Sequence, residues 1–234
     1  MRDPFREGLA AGWKHIDASQ LAVDLPIEAD VVIIGSGAGG GVTAEILAAN
    51  GLKVVIVEEG PLRTSSDFKM REAEAYPDLY QESAARKTAD KAINILQGRC
   101  VGGSTTVNWT SSFRTPPRTL QWWQSAWGLK RLGVDAMAPW FAAMEQRLHV
   151  GLWPIPPNEN NAALARGAAQ LGIPVAVIPR NVKMCWNLGY CGMGCPTNAK
   201  QSMLVTTIPG ALNNGGELLY LARAQRLLLT GDQV

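Results

Sequence analysis

The residues best placed to do chemistry fall in two glycine-rich segments and one cysteine cluster. Gly35-Ser36-Gly37-Ala38-Gly39-Gly40 spells G-x-G-x-x-G at Gly35, Gly37 and Gly40. Glycines at this spacing suit a phosphate-bearing ligand for reasons of backbone geometry. Gly35 permits a tight strand-to-helix turn, Gly37 lets a pyrophosphate approach the main chain, and Gly40 lets the helix pack close on the strand. The helix start then offers free N–H groups and its positive dipole end to the phosphates. Glu58 follows eighteen residues after Gly40, where a carboxylate can accept hydrogen bonds from both hydroxyls of a ribose. It also repels a 2′-phosphate and so disfavours NADP, while the adjacent Glu59 can face solvent. This motif does not separate FAD from NAD.

The second segment, Gly98-Arg99-Cys100-Val101-Gly102-Gly103-Ser104-Thr105-Thr106-Val107-Asn108-Trp109, favours the longer cofactor. Adjacent glycines followed by hydroxyl residues make a backbone concavity that can seat a second part of an extended ligand. The cysteine cluster comes later: Cys185, Cys191 and Cys195 lie within eleven residues. In a reducing compartment such density points to metal or redox chemistry more than to a disulfide framework. Three thiolates are one short of the usual [2Fe–2S] or [4Fe–4S] set but enough for a [3Fe–4S] cluster. No fourth His or Cys lies nearby to complete a zinc site. The plainer alternative is buried thiols, or one labile disulfide plus a free cysteine. Cys100 is expected simply to pack.

These residues need elements to position them. Ala29 to Ile34 is a short β-branched run bounded by glycines, the pattern of a fully buried parallel strand. A helix is expected from Gly40 to Ala49, with Ala44, Leu47 and Ala48 on its apolar face and Asn50-Gly51 ending it. Lys53 to Glu58 is a second buried strand, and the whole makes one βαβ unit. Residues 62–96 are polar, with a helical stretch at Glu82 to Ala92; Ala162 to Leu171 reads as a further helix. Leu218 to Ala224 and Leu227 to Leu229 read as two strands, and Gly231 to Val234 as a turn opening another. Trp122, Trp123 and Trp127 are expected to pack in a core or between domains rather than line a pocket.

Composition narrows the functional classes. At 234 residues and 47% hydrophobic content, the chain has ample material for a buried core. The net charge of +2, with no basic run and no aromatic–basic interleaving, excludes nucleic acid as an implied partner. The first residues mix charges and lack an apolar h-region, so no secretory signal is expected. No stretch approaches the ~20 apolar residues of a membrane span, and the cytoplasm is the expected location.

Taken together, the two glycine segments resemble those of the glucose–methanol–choline (GMC) family of FAD oxidoreductases. That family joins an early GxGxxG…Glu unit to a G-R-x-x-G-G-S-[ST]-x-x-N segment. The resemblance implies that Gly98, Arg99, Gly102, Gly103, Ser104 and Thr105 lie along the FAD, with Asn108 against the isoalloxazine edge. Some members hold flavin covalently through a histidine in this segment; none is present, so the FAD is expected to be non-covalent. Gly194 to Ser202 resembles the G-C-P-x-x-A-K-x-S element of alcohol-oxidising and sugar-dehydrogenase members. The cysteine spacing resembles that of membrane-associated sugar dehydrogenases, which pass electrons through an iron–sulfur cluster to a cytochrome. An electron-acceptor protein, or membrane association through a partner subunit, is the corresponding alternative.

The fold implied is α/β: a Rossmann-like parallel sheet with an inserted, incomplete cap or substrate subregion. The expected organisation is an amino-terminal extension at 1–29, the FAD-binding domain at 30–115, a cap segment at 116–196 and a return to the FAD-binding domain at 197–234. The reaction implied is oxidation of an alcohol or sugar hydroxyl by hydride transfer to the flavin. The family's catalytic histidine lies near the carboxyl end of full-length members, so the chain is expected to stop before it. His15 and His149 fall in no family motif, and the catalytic base is unassigned. The alternatives are an NAD-dependent dehydrogenase, which leaves the second glycine segment without a role, and a non-catalytic dinucleotide-binding fragment.

Overall fold

The computed structural model describes residues 2–229. In chain order its main elements are α1 (Pro4–Ala10), β1 (Lys14–Asp17), β2 (Val31–Ile34), α2 (Ala38–Ala49), β3 (Val54–Val57), α3 (Glu72–Leu79) and α4 (Ser104–Val107). There follow α5 (Pro117–Trp127), α6 (Val134–Arg147), β4 (Val150–Leu152), α7 (Glu159–Gln170), β5 (Pro179–Asn181), α8 (Thr207–Asn213) and β6 (Glu217–Tyr220). They form two compact units, one of residues 1–109 with 184–234 and one of residues 110–183. Residues 184–196, expected with the inserted segment, cluster with the first unit.

The first unit is built on a four-stranded, wholly parallel sheet in the order β1-β6-β3-β2. The α/β class and parallel sheet expected from the sequence are therefore present. β3 is central, and Val54, Val55 and Ile56 are buried on both faces beside Leu218 of β6. β2 departs from expectation. It pairs only with β3, so as an edge strand it buries Ile33 but leaves Val32 and Ile34 56% and 58% exposed. Helix α2 follows it, burying Gly41, Ala44 and Ala48, with Asn50 as its C-cap. α8 packs against α2 and contributes buried Ile208, Ala211 and Leu212.

The amino-terminal 29 residues are no separate extension. β1 pairs with β6 from Lys14↔Glu217 to Asp17↔Tyr220 and so completes one side of the sheet. α1 is fastened by Asp3, whose buried carboxylate caps the helix by accepting from the Arg6 N–H at 3.2 Å. The same group accepts from the Thr64 and Ser66 hydroxyls, each at 2.6 Å. Phe5 is buried edge-to-face against Trp13, with centroids 5.4 Å apart.

Two other expectations change, and a third falls outside the described residues. Residues 82–92 are not helical: only a 3-10 turn at Gln81–Ala84 forms, with Glu82 and Ser83 at positive φ. The helix of that region is α3, which begins at Glu72, fifteen residues past the end of β3 at Val57. Leu227 to Leu229 forms no strand, and the turn expected at Gly231 to Val234 lies outside the described residues.

The second unit holds α5, α6 and α7 and a small antiparallel pair, β4 and β5, with α6 against α5 and β4. Arg180 lies 4.5 Å over the Trp153 ring and Arg114 pairs with Glu145 at 2.6 Å. Trp122 and Trp127 form an edge-to-face pair but stay 54% and 67% exposed, so among the described residues they are not core. No described helix is long and apolar enough to cross a membrane.

Candidate cofactor site

The first unit contains a cavity of about 500 Å³ at the end of β2 and β3. Its lining includes Gly35, Gly37, Glu58, Gly98, Gly103, Ser104 and Thr105. Seven of the eleven expected cofactor residues thus meet in one place, drawn from both glycine segments.

The two segments touch through their backbones. Gly103 sits at φ +54°, and a Cβ built on it would come 2.8 Å from the Cα of Gly37. Any side chain at 103 would therefore push the two loops apart, so this glycine is required twice, by conformation and by space. Gly40 serves the closeness of α2 to β2: a Cβ there would fall 1.9 Å from the carbonyl oxygen of Gly35. Gly37 differs, since its Cβ would meet only Gly103 Cα at 3.9 Å. At that position the space beside the main chain is open to the cavity. α2 starts at Gly37 with no side-chain cap, which leaves the N–H groups of its first turn for a phosphate.

Glu58 is held more tightly by the protein than its sequence position implies. Its buried carboxylate accepts from the Ser36 N–H (3.0 Å), the Ser36 hydroxyl (2.6 Å) and the Gly60 N–H (2.8 Å). A carboxylate offers about four acceptor positions, so about one remains for a ribose hydroxyl, not the two expected. The Ser36 hydroxyl in turn accepts from the Gly102 N–H at 2.9 Å. Ser36 thereby links the acidic strand end to the second glycine segment. Sequence reasoning passed over it as a variable position, although a small hydroxyl between two motif glycines was a visible signal.

The remaining expected residues stand behind the lining. Gly102 and Gly40 shape the loops, and Arg99 reaches Glu59 instead, with Nε 3.9 Å from its carboxylate. Gly98 donates its N–H to the Ser104 hydroxyl at 2.9 Å, tying the start of the segment to α4. Thr105 contributes backbone to the lining, but its hydroxyl donates to the Gly102 carbonyl (2.6 Å) and accepts from the Met203 N–H (3.0 Å). Asn108 does not line the cavity; its carbonyl accepts from Lys200 Nζ at 2.7 Å.

Lys200, the lysine of the G-C-P-x-x-A-K-x-S element, acquires a role that the sequence left open. Its buried ammonium also donates to the carbonyls of Thr106 (2.8 Å) and Cys191 (2.6 Å). It thus braces the exit of the second glycine segment against the cysteine loop. Tyr80 adds a further brace, donating its hydroxyl to the Gly192 carbonyl at 2.6 Å; burial pushes that phenol up to about 12.

The cysteine cluster does not assemble. Among the described residues no three His, Cys, Asp or Glu side chains are placed to share a metal ion. Cys185, Cys191 and Cys195 are therefore not brought together as the [3Fe–4S] ligand set that their spacing suggested, and all are free thiols. The chemistry of Cys195 is explained locally. Burial opposes its thiolate, but the Thr197 hydroxyl and the N–H groups of Lys200, Thr197 and Ala199 outweigh burial and hold the thiol below its usual range. Cys100 goes the other way: it is fully buried, and loss of hydration pushes it up to about 12, as packing alone requires. His15 stacks on Tyr220 and His149 lies in the second unit; neither lines the cavity.

Residues 30–70 match the family described as FAD binding domain, and residues 76–234 match GMC oxidoreductase. A long-chain-alcohol oxidase of Arabidopsis thaliana is 32% identical over 206 residues, covering 88% of this chain and 27% of that protein. An uncharacterized GMC-type oxidoreductase of Sinorhizobium fredii is 32% identical, covering 87% of this chain and 41% of that protein. The fold is shared with pyridoxine 4-oxidase from Mesorbium loti at a TM-score of 0.65 and 21% identity, over 88% of this chain and 45% of that one. It is shared with an Aspergillus oryzae formate oxidase at a TM-score of 0.57 and 14% identity, over 86% and 40%. The chain thus spans less than half the length of each of these proteins. On its own sequence, by a match running from residue 76 to 234, this chain belongs to the GMC oxidoreductase family.

Proposed function

We propose that the chain is the FAD-binding part of an oxidoreductase that acts on an alcohol CH–OH group. The observation that carries this reading is the joining of the two glycine segments, Gly37 against Gly103 with Ser36 bridging Glu58 to Gly102. A short Rossmann site for NAD accounts for Gly35 to Glu58 but gives the second segment nothing to hold. The cavity, about 500 Å³, is in the range of cofactor clefts. Its glycines leave room where a pyrophosphate needs main-chain N–H groups, and a Cβ at Gly37 would enter that room.

In this reading Gly37, Gly103 and the first turn of α2 hold the pyrophosphate, and Glu58 takes a ribose hydroxyl. FAD held there non-covalently would accept a hydride from the carbinol carbon of the substrate. The protein's part is placement: Ser36 and Lys200 fix the loops that the cofactor must lie between. Alcohol substrates are favoured by the long-chain-alcohol oxidase relatives. No lining residue is assigned the removal of the hydroxyl proton, and the relatives' greater length favours a base supplied by sequence beyond this chain.

The test is anaerobic addition of primary alcohols, aryl alcohols and sugars to the FAD-loaded chain and to a longer polypeptide carrying it, following loss of oxidised flavin absorbance. Alcohol-dependent bleaching supports the reaction. Tight FAD binding without bleaching by any of these in either protein would reduce the function to cofactor binding.

A further inference from the structure

The first unit holds a second, much smaller cavity of about 10 Å³, whose lining includes Phe68, Cys195, Lys200 and Ser202. A space of that size admits about one water-sized group. One wall is fixed by Gly194, at φ +84°, where a Cβ would come 2.3 Å from the Phe68 ring. Cys195 follows it and is only partly buried. Its Sγ accepts from the Lys200 N–H at 3.5 Å and lies 3.4 Å from the Thr197 hydroxyl. Burial works against the thiolate, but that hydroxyl and the N–H groups of Lys200, Thr197 and Ala199 outweigh it.

Ser202 supplies an independent sign that the cavity takes a polar occupant. It is 3% exposed, and its bonds run through the main chain, its carbonyl accepting from the Thr206 hydroxyl at 2.7 Å. Its hydroxyl pairs with no protein group among the described residues. No side-chain oxygen that is fully occluded lacks a partner there, so the Ser202 hydroxyl opens onto free space, and the space it lines is this cavity. A partly exposed sulfur rich in thiolate is the form of cysteine that hydroperoxides oxidise. We propose that Cys195 is a site of reversible oxidation to sulfenic acid by a hydroperoxide, the added oxygen occupying the cavity against the Ser202 hydroxyl. The sulfur lone pair attacks one peroxide oxygen, and the S–O bond forms as the O–O bond breaks. An electron pair thus passes from sulfur to the peroxide, and the departing hydroxide takes up the proton lost by the thiol and leaves as water. A cavity this small accepts one added oxygen and resists the second that would make the irreversible sulfinic acid.

The experiment exposes the purified chain, parent and Ser202→Ala, to a small molar excess of hydrogen peroxide for increasing times. Each sample is quenched by unfolding in denaturant that contains dimedone, which traps sulfenic acids, and the adducts are mapped by peptide mass spectrometry. In the parent, Cys195 is expected to gain the adduct several-fold faster than Cys185 and Cys191, and a thiol reductant given before the quench should abolish it. Ser202→Ala should gain the adduct at the parental rate but lose it on longer exposure, as Cys195 passes to the sulfinic acid. Labelling of Cys195 no faster than of the other two loop cysteines would overturn the proposal, because it marks ordinary accessible thiols. A folded Ser202→Ala whose adduct persists as long as the parent's would overturn it too, leaving the cavity to a water molecule. The comparison of the three thiols in the parent decides the matter by itself if Ser202→Ala does not fold.

Discussion

At the scale of single residues, the two motif glycines that meet face to face have different jobs, and this can be measured. Gly37→Val should leave the fold intact, because its Cβ has 3.9 Å of room from Gly103, while filling the space a pyrophosphate needs. It is expected to abolish FAD binding with a Tm within a few degrees of the parent. Gly103→Ala should lower both, because its Cβ strikes the Gly37 backbone at a positive φ. Ser36→Ala strands the Gly102 N–H and removes one of the three donors to Glu58, the backbone N–H groups of residues 36 and 60 remaining. A loss of about 2 kcal/mol, or roughly 4–8 °C in Tm, is expected by thermal unfolding. Asp3 gives a pH signature. Burial alone would raise its pKa, but the hydroxyls of Ser66 and Thr64 and the N–H groups of Arg6 and Ser66 bring it from 3.8 down to about 2. A lowered carboxylate stabilises the fold fully above its unfolded value, and that contribution drains away as pH falls from 3.8 to about 2. Asp3→Asn should flatten this part of the stability–pH curve by about 2 kcal/mol, read from denaturant midpoints at successive pH values.

Among the elements, the least expected is the amino-terminal one. β1 is polar, exposed on half its residues and only four residues long, yet it closes the β6 edge of the sheet. Removing residues 2–17 would bare that edge and the surface under Phe5. The expected cost exceeds the ~3–5 kcal/mol of a buried Phe truncation, visible as a fall in Tm and as self-association in light scattering; an unchanged Tm would mean β1 is ornamental. Its obscurity in the sequence has a physical cause. Lys14-His15-Ile16-Asp17 has no strong period of its own and is fixed by pairing with residues some two hundred positions away. β3 was legible because a central strand is apolar on both faces; β2 looked the same in sequence although it lies at the edge. The 82–92 stretch misled because its helix-forming residues are held instead by local bonds, such as Thr88 N–H to the Ile93 carbonyl at 3.0 Å. The glycine segments were readable since their geometry is local. The bracing roles of Ser36 and Lys200 were not, because each comes only from partners far along the chain.

For the whole molecule, the first unit holds every residue of the cofactor cavity, while residues 110–183 form a unit of their own. Cofactor binding is therefore a property to look for in this chain by itself. The central claim is that the two glycine segments make one FAD site. The direct measurement is calorimetric titration of the purified chain with FAD, alongside Gly37→Val under identical conditions. One FAD bound per chain, lost in Gly37→Val while the variant stays folded, is the predicted result. Absence of FAD binding by the folded parent, or equal binding by parent and variant, would contradict it.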